Sequence, residues 1–426
     1  MTIAELQRKH TAVILGYGLE GKATEAFLRR VAPHLKIMIA DATIQPDYLS
    51  LQTAGDVVIK TPSLPGHLLH VSHTTATNLF FANVPCPVIG ITGSKGKSTT
   101  SSLIAAMIRA HGRTVHLLGN IGIPALSLLP GDIHTDDLVV FELSSYQTAD
   151  LDRAPQIAVY TSFFPEHLDY HGSLAAYAAA KARITLKQTT SDSFVFHPDD
   201  PELVRVAEMT QARLVPIPQT LPFALPETRL VGTHNLRNIR AAWTAASLVG
   251  VTPEEAIQAI HAFEPLPHRL TNIGTYEGIT FIDDAIASAP EAAIEALKCH
   301  PDTTTIFLGG KDRGYSFTAL AETLAASRVK TVILFPETGA AIRTALTQRS
   351  PERYTFFETR SMQEAVAFAY AHTEPGTTCL LSCASPSYSL WKSFEEKGRE
   401  FTLYVKHFGE HPQRLRNKKH ASKVDA

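Results

Sequence analysis

One segment limits what this chain can fold into more than any other: Gly90-Ile91-Thr92-Gly93-Ser94-Lys95-Gly96-Lys97-Ser98-Thr99, which sits between an apolar run, Val88 to Thr92, and a helical pattern, Ser101 to His111. A strand that feeds a helix through a glycine-rich loop is a building unit of parallel sheets covered by helices. The same residue types form a phosphate cradle. Glycines let backbone N–H groups approach phosphate oxygens, and the helix N-terminus adds positive potential. Lys97 would then reach the terminal phosphates, and the Ser98 or Thr99 hydroxyl would reach Mg2+. The strict loop pattern would place glycine at position 91, where the chain has Ile91. The competing reading is a tight strand-to-helix turn without a ligand. We expect phosphate binding by Gly93, Ser94, Lys95, Gly96, Lys97, Ser98 and Thr99.

At 426 residues the chain is long enough for about three domains. Short Val- and Ile-rich runs alternate with helical patterns along its length, so the fold class is α/β with parallel sheets. Near-balance of 39 Lys and Arg against 41 Asp and Glu argues against nucleic acid as a partner. Neither a long apolar span nor a secretory leader is visible, so no membrane insertion and a cytoplasmic location are expected. Cys86, Cys299, Cys379 and Cys383 lack CxxC spacing and read as reduced thiols.

Two proline breaks suggest boundaries: Pro85-Cys86-Pro87 before the phosphate loop, and Glu264-Pro265-Leu266-Pro267-His268-Arg269, a hinge-like segment. The expected domains are 1–84, 85–265 and 266–410, with a polar tail over 411–426. In the first, Ala12 to Leu15 reads as a strand, Gly16 to Gly21 as a loop, Lys22 to Arg30 as a helix and Ile37 to Ala40 as the next strand. Thr252 to Glu255 is a capping box with Pro in the first turn, and Ser288 to Glu291 repeats that pattern.

Further groups carry chemistry. Asp137 to Glu142 reads as a buried strand delivering the Glu142 carboxylate at its C-terminal end, where open α/β sheets place ligands and where Mg2+ would find a hard oxygen. Glu166-His167-Leu168-Asp169-Tyr170-His171 and Lys181 concentrate ionisable groups around an alanine-rich helix. Gly16-Tyr17-Gly18-Leu19-Glu20-Gly21 follows a strand, with Asp41 about 20 residues on, as in a nucleotide or nucleotide-sugar site.

Taken together, GYGLEG, GITGSKGKST, GNIG (119–122), ELSSYQ (142–147), EHLDYH, AAKARI, THNLRN, LPHR, LGGKDRG and LLSCASPSYSLWKSFEEKG resemble the Mur ligases over nearly the whole chain. These enzymes add amino acids to the UDP-MurNAc peptide of peptidoglycan. The GxGxxG front and the SFEEKGREF ending look most like the glutamate-adding branch.

The resemblance implies a Rossmann-like N-terminal domain for UDP, a central P-loop ATPase domain and a Rossmann-like C-terminal domain for the amino acid. It implies an ATP-dependent, ADP-forming ligase that is a monomer, with ATP, UDP-N-acetylmuramoyl-L-alanine and glutamate as its partners. By this similarity Gly18, Leu19, Glu20 and Asp41 lie around the uridine, and Asn120, Ser144 and Gln147 contact the muramoyl peptide. Lys97, His167 and Lys181 are catalytic. Ser98, Glu142, His167 and Lys181 surround Mg2+, with Lys181 as the family lysine that becomes carbamylated. Asn235, Asn238, His268, Arg269 and Asp284 match adenine and ribose contacts, and Ser288, Arg313, Ser387 and Phe394 match the amino-acid pocket. Without the family, Asn235 and Asn238 read as helix-start residues.

The chain departs from the family at Asp284-Ala285-Ile286-Ala287-Ser288-Ala289, where the branch usually reads DSKATN, and at Arg313, where it has lysine. Ala42 and Thr43 likewise replace the usual Thr-Arg after the acidic residue. D-glutamate is the expected substrate, and a variant branch adding L-glutamate is the alternative. From another class, a nicotinamide-dependent dehydrogenase would explain GYGLEG and Asp41 but leave the second loop idle.

Overall fold

A computed structural model describes residues 1–120 and 123–411. Of the expected polar tail, all beyond His411 lies outside the described residues. The chain forms two compact units, Met1–Glu264 and Pro265–Ala426.

The first unit opens with α1 (Ile3–Leu6), β1 (Thr11–Leu15), α2 (Leu19–Val31), β2 (Lys36–Ala40), β3 (Val57–Lys60), β4 (Thr74–Thr75) and α3 (Ala76–Asn83). Its four strands form a parallel sheet in the order β2-β1-β3-β4. There follow β5 (Val88–Thr92), α4 (Lys97–Ala110), β6 (Val115–Gly119), β7 (Leu138–Glu142), α5 (Ser145–Thr148), β8 (Ile157–Tyr160), α6 (Leu168–His171), α7 (Leu174–Ala182), β9 (Ser193–Phe196), α8 (Pro201–Met209), β10 (Arg213–Pro216), α9 (Thr233–Ser247) and α10 (Pro253–Ala262). These strands make a second parallel sheet, β10-β9-β8-β5-β7-β6.

Every residue of β5 is buried, as a strand with helices over both faces must be. Alternate residues serve opposite cores. Ile89 and Ile91 pack with Leu103, Ile104 and Met107 of α4 and Ala242 and Ala245 of α9. Val88, with Val139 and Phe141 of β7, belongs to a core that also holds Phe27 and Leu28 of α2, Ile14 of β1 and Phe80 of α3. One apolar core thus runs from the first sheet to the second, across the expected boundary near residue 85. The Phe80 and Phe141 rings, 5.3 Å apart at 60°, sit in it, and truncating either to Ala would cost roughly 3–5 kcal/mol.

Two helices start earlier than local propensity suggests. The expected helix at Ser101 begins at Lys97, because Gly96 takes the left-handed N-cap position and its carbonyl accepts from Thr100 N–H at 2.9 Å. The expected helix at Lys22 begins at Leu19, with Gly18 as N-cap.

The second unit contains β11 (Thr271–Tyr276), β12 (Ile279–Asp283), α11 (Pro290–Cys299), β13 (Thr303–Gly309), α12 (Thr318–Ala326), β14 (Thr331–Phe335), α13 (Gly339–Arg349), β15 (Thr355–Glu358), α14 (Met362–His372), β16 (Thr378–Leu381) and α15 (Phe394–Glu410). The sheet order is β11-β12-β16-β13-β14-β15, parallel except for the β11–β12 hairpin. The capping box at Thr252 forms as expected. The one expected at Ser288 does not: α11 is capped by Ala289, without a side-chain bond. Pro290 occupies the first helical position, where its missing N–H costs nothing, and that fixes the N-cap one residue past Ser288.

Candidate active site

In the second sheet β5 lies between β7 and β8, with β6 beyond β7 on one side and β9 and β10 beyond β8 on the other, so the strand order reverses beside it. Such a switch point leaves a crevice at the strand C-termini, and the loop Gly93–Gly96 emerges there. Gly93 has φ +150°, and a Cβ on it would sit 2.0 Å from Thr161 Oγ1. Gly96 has φ +85°, and a Cβ there would meet Asn238 Oδ1 at 2.3 Å. Only glycine fits either position.

The loop is splinted against the segment after β8. Lys95 N–H donates to Ser162 Oγ at 3.0 Å, Ser94 N–H donates to Ser162 O at 2.8 Å, and Thr161 Oγ1 donates to Lys95 O at 2.6 Å. Ser94 Oγ donates to Phe164 O at 2.8 Å and lies 2.9 Å from the Tyr177 hydroxyl. Lys97 Nζ donates to Gly93 O at 2.7 Å and Ser94 O at 3.0 Å. Lys95 pairs with Glu166. Burial would raise the Glu166 carboxyl, but Lys95 and Lys97 hold it below its ordinary value.

Lys181, from the last turn of α7, is fully buried and donates to Gly93 O at 2.7 Å. Burial, reinforced by Lys97, pushes its pKa well below that of an ordinary lysine. Its Nζ lies 4.9 Å from the centre of the Tyr177 ring, one helical turn earlier. Glu142, at the end of β7, is also buried. Its Oε1 accepts from Asn120 Nδ2 at 3.2 Å, and its Oε2 has no hydrogen-bond partner among the described residues. Such an orphaned carboxylate oxygen is a hard ligand of the kind a divalent cation takes. His167 caps α6 at φ +55°, and its Nδ1 lies 2.8 Å from the Tyr146 hydroxyl. Ser144 and Gln147 close a capping box on α5.

Asn238 thus borders the loop at Gly96, and its Nδ2 donates to Asn235 Oδ1 at 3.1 Å. Neither asparagine caps α9, whose N-cap is Gly232, so the helix-start reading fails. Asn235 Nδ2 instead donates to Val231 O at 2.7 Å.

The first sheet carries its own group. Asp41, at the end of β2, accepts from Tyr17 N–H at 2.6 Å and from Thr43 N–H at 2.8 Å. The Thr43 bonds, above all, keep its carboxyl low. Nothing lies within 4 Å of where a Gly18 Cβ would be, and Leu19 is 81% exposed. Glu20 beside them is pushed up to about 7 by burial, partly opposed by Lys60.

In the second unit, His268 Nδ1 lies 2.6 Å from Asp283 Oδ2, and the Phe394 ring lies 6.3 Å from the His268 ring. Asp284 accepts from Ser382 Oγ at 2.7 Å. Burial raises its carboxyl to about 7, against the Ser382 bond and the Arg269 charge. Ser387 is buried, its hydroxyl without a partner among the described residues, Ser288 is half-buried and Arg313 is exposed. Sequence reasoning missed Tyr146, Thr161 and Tyr177. For Tyr177 a signal existed, its spacing of four from Lys181 on one helix face.

The Mur ligase middle-domain family model matches residues 91–220, and the Mur ligase glutamate ligase domain matches residues 268–385. UDP-N-acetylmuramoylalanine--D-glutamate ligase of Symbiobacterium thermophilum is 32% identical, covering 84% of this chain and 85% of that protein. UDP-N-acetylmuramoyl-L-alanine--L-glutamate ligase of Salinispora tropica is 32% identical over 95% of this chain and 99% of its own length. Among solved structures, MurF ligase from Thermotoga maritima in complex with ADP superposes with a TM-score of 0.63 at 15% identity, covering 95% of this chain and 99% of that one. UDP-N-acetylmuramate-alanine ligase MurC from the same organism gives 0.59 at 18%, covering 94% and 100%. With its phosphate-type loop at a switch point and relatives of this kind along most of its length, the chain belongs to the Mur ligase family, the ATP-dependent, ADP-forming ligases of peptidoglycan synthesis.

Proposed function

We propose that this enzyme joins glutamate to UDP-N-acetylmuramoyl-L-alanine, with ATP as co-substrate, through an acyl phosphate. The observation that carries this reading is the loop Gly93–Thr99 with Lys97 and Lys181 gathered on it. A carboxylate is a poor electrophile, and phosphorylation of one oxygen supplies a leaving group. The alanine carboxylate attacks the γ-phosphorus, ADP leaves, and the uncharged glutamate amine then displaces phosphate from the acyl carbon. Lys97 and the loop N–H groups hold and neutralise the phosphates, so this catalysis is positioning and electrostatics. Ser98, Glu142, His167 and a carbamylated Lys181 would hold Mg2+, which supplies charge neutralisation on the phosphate oxygens. Asn235, Asn238, His268, Arg269 and Asp284 are assigned to the adenine and ribose of ATP. Gly18, Leu19, Glu20 and Asp41 are assigned to the uridine, and Asn120, Ser144 and Gln147 to the muramoyl peptide. Ser288, Arg313, Ser387 and Phe394 are assigned to glutamate.

D-glutamate is our first assignment, supported by relatives named for it. L-glutamate is the second reading. It is supported by the Salinispora relative, which covers 95% of this chain, and by the loss of lysine and asparagine from Asp284–Ala289. Because ATP and a UDP-sugar are metabolites of the cytoplasm, we assign the enzyme there. Among the described residues no helix is long and apolar enough to cross a membrane. The test is phosphate release with ATP, Mg2+ and UDP-N-acetylmuramoyl-L-alanine, run with D- and L-glutamate in parallel. Release that requires one enantiomer assigns the substrate; no release with either rejects the reading.

A further inference from the structure

His167 is held in a backbone conformation that L-residues avoid, at φ +55° and ψ +34°. A non-glycine residue there is strained, and such outliers persist where the surroundings over-determine them. Here the surroundings are aromatic. The Tyr146 ring lies 5.0 Å from the His167 ring, Tyr177 stands edge-on at 6.3 Å, and Tyr146 itself is packed by Tyr170 at 4.2 Å and stacked on His171 at 5.8 Å. Tyr170 is tied in turn to the loop after β3, donating to Pro62 O at 2.8 Å. Within this frame the Tyr146 hydroxyl lies 2.8 Å from His167 Nδ1.

We infer that Tyr146 is a positioning residue whose hydroxyl oxygen accepts the His167 Nδ1–H and so fixes the tautomer with its lone pair on Nε2. The inference deepens the proposed function and rests on its assignment of His167 to the Mg2+ site. A metal-binding imidazole is neutral and coordinates through one nitrogen while the other keeps its proton, and the partner of that N–H sets which is which. A phenol can play either role. If Tyr146 donated instead, Nδ1 would carry the lone pair and Nε2 the proton, and Nε2 could not coordinate.

The variant Tyr146→Phe removes only the oxygen and keeps the ring that packs Tyr170 and His171. Two readouts bear on it. In metal-free protein carrying 15N-histidine, with the His167 signals assigned by their loss in His167→Ala, the wild type should show the Nδ1-protonated tautomer. In Tyr146→Phe that signal should move toward the Nε2-protonated form. Titration with Mn2+ in the presence of ADP, followed by electron paramagnetic resonance, should show affinity weakened about 10- to 100-fold in Tyr146→Phe. An Nε2-protonated His167 in the wild type overturns the inference without recourse to any variant, as does unchanged Mn2+ affinity in a folded Tyr146→Phe whose His167→Ala counterpart has lost it. If His167→Ala itself binds Mn2+ as tightly as wild type, the assignment of His167 to the metal is what fails, and the inference falls with it.

Discussion

Lys97 and Lys181 donate to the same carbonyl oxygen, that of Gly93, each at 2.7 Å. One begins α4 and the other lies in the last turn of α7. Two ammonium groups on one acceptor repel, and burial disfavours the charge further at Lys181, so its pKa falls well below that of an ordinary lysine. Once deprotonated, the Lys181 amine can attack CO2, forming an N–C bond and releasing a proton, which turns a cationic site into an anionic one. Lys181→Arg cannot do this, since guanidinium stays charged. Wild-type protein in 13C-bicarbonate should show a carbamate carbon by NMR that Lys181→Arg lacks, with turnover in the variant down about a hundredfold or more. A carbamate signal that survives the substitution would move the modification elsewhere.

Lys97→Ala removes the loop cation nearest the proposed phosphate site. Turnover should fall by about a hundredfold or more, while the fold persists, since the Lys97 side chain is only half-buried. Near-wild-type phosphate release would exclude Lys97 from the chemistry.

Gly96→Ala places a methyl group 2.3 Å from Asn238 Oδ1 at φ +85°. The left-handed backbone alone costs about 1–2 kcal/mol. The clash then pushes Asn238 from the loop, so both melting temperature and ADP affinity should fall. Gly112→Ala is the control: its φ is +78° but nothing lies within 4 Å, so it should lose the same backbone term of about 1–2 kcal/mol and no affinity. Equal effects from both variants would show that the Asn238 contact is immaterial.

Asp284 offers a pH test. Its folded pKa is raised to about 7 from an ordinary 3.8, chiefly by burial. Between those values the folded state binds the extra proton, so its contribution to stability is full below about pH 4 and is lost as pH rises through about 7. Asp284→Asn keeps an oxygen for Ser382 without the charge. Thermal melts should therefore show the variant gaining on wild type from pH 5 to pH 8. A constant gap would mean that Asp284 titrates alike in both states.

Arg313 is exposed on the loop after β13. If it pairs with the side-chain carboxylate of glutamate, Arg313→Ala should raise the KM for glutamate about 10- to 100-fold with little change in kcat, as for a charge-assisted bond worth about 1.5–3 kcal/mol. Steady-state kinetics with glutamate varied checks this, and an unchanged KM removes Arg313 from the pocket.

Much of the architecture was legible in the residues. The strand Val88–Thr92 and the capping box at Thr252 both form where local pattern put them. The early start of α4 was not legible, because Lys97-Ser98-Thr99-Thr100 has loop-like propensity and becomes helical only when Gly96 takes the left-handed cap. Ser288 misled because proline placement outweighed the capping-box pattern. In the candidate site, Tyr146 and Thr161 escaped notice since neither residue type signals chemistry by itself.

By itself the sequence determined the alternation of strand and helix, the glycine-bearing phosphate loop and the family, because hydrophobic period and turn chemistry are written in neighbouring residues. Only the tertiary structure decided what each ionisable group meets. Lys181 lies 88 positions from the Gly93 carbonyl it donates to, and Asn238 reaches Gly96 from a helix at the far end of the same unit. Desolvation and Coulombic coupling depend on such distant neighbours, so a buried lysine of lowered pKa, an orphaned Glu142 oxygen and a tyrosine-bound His167 exist only once the chain has folded.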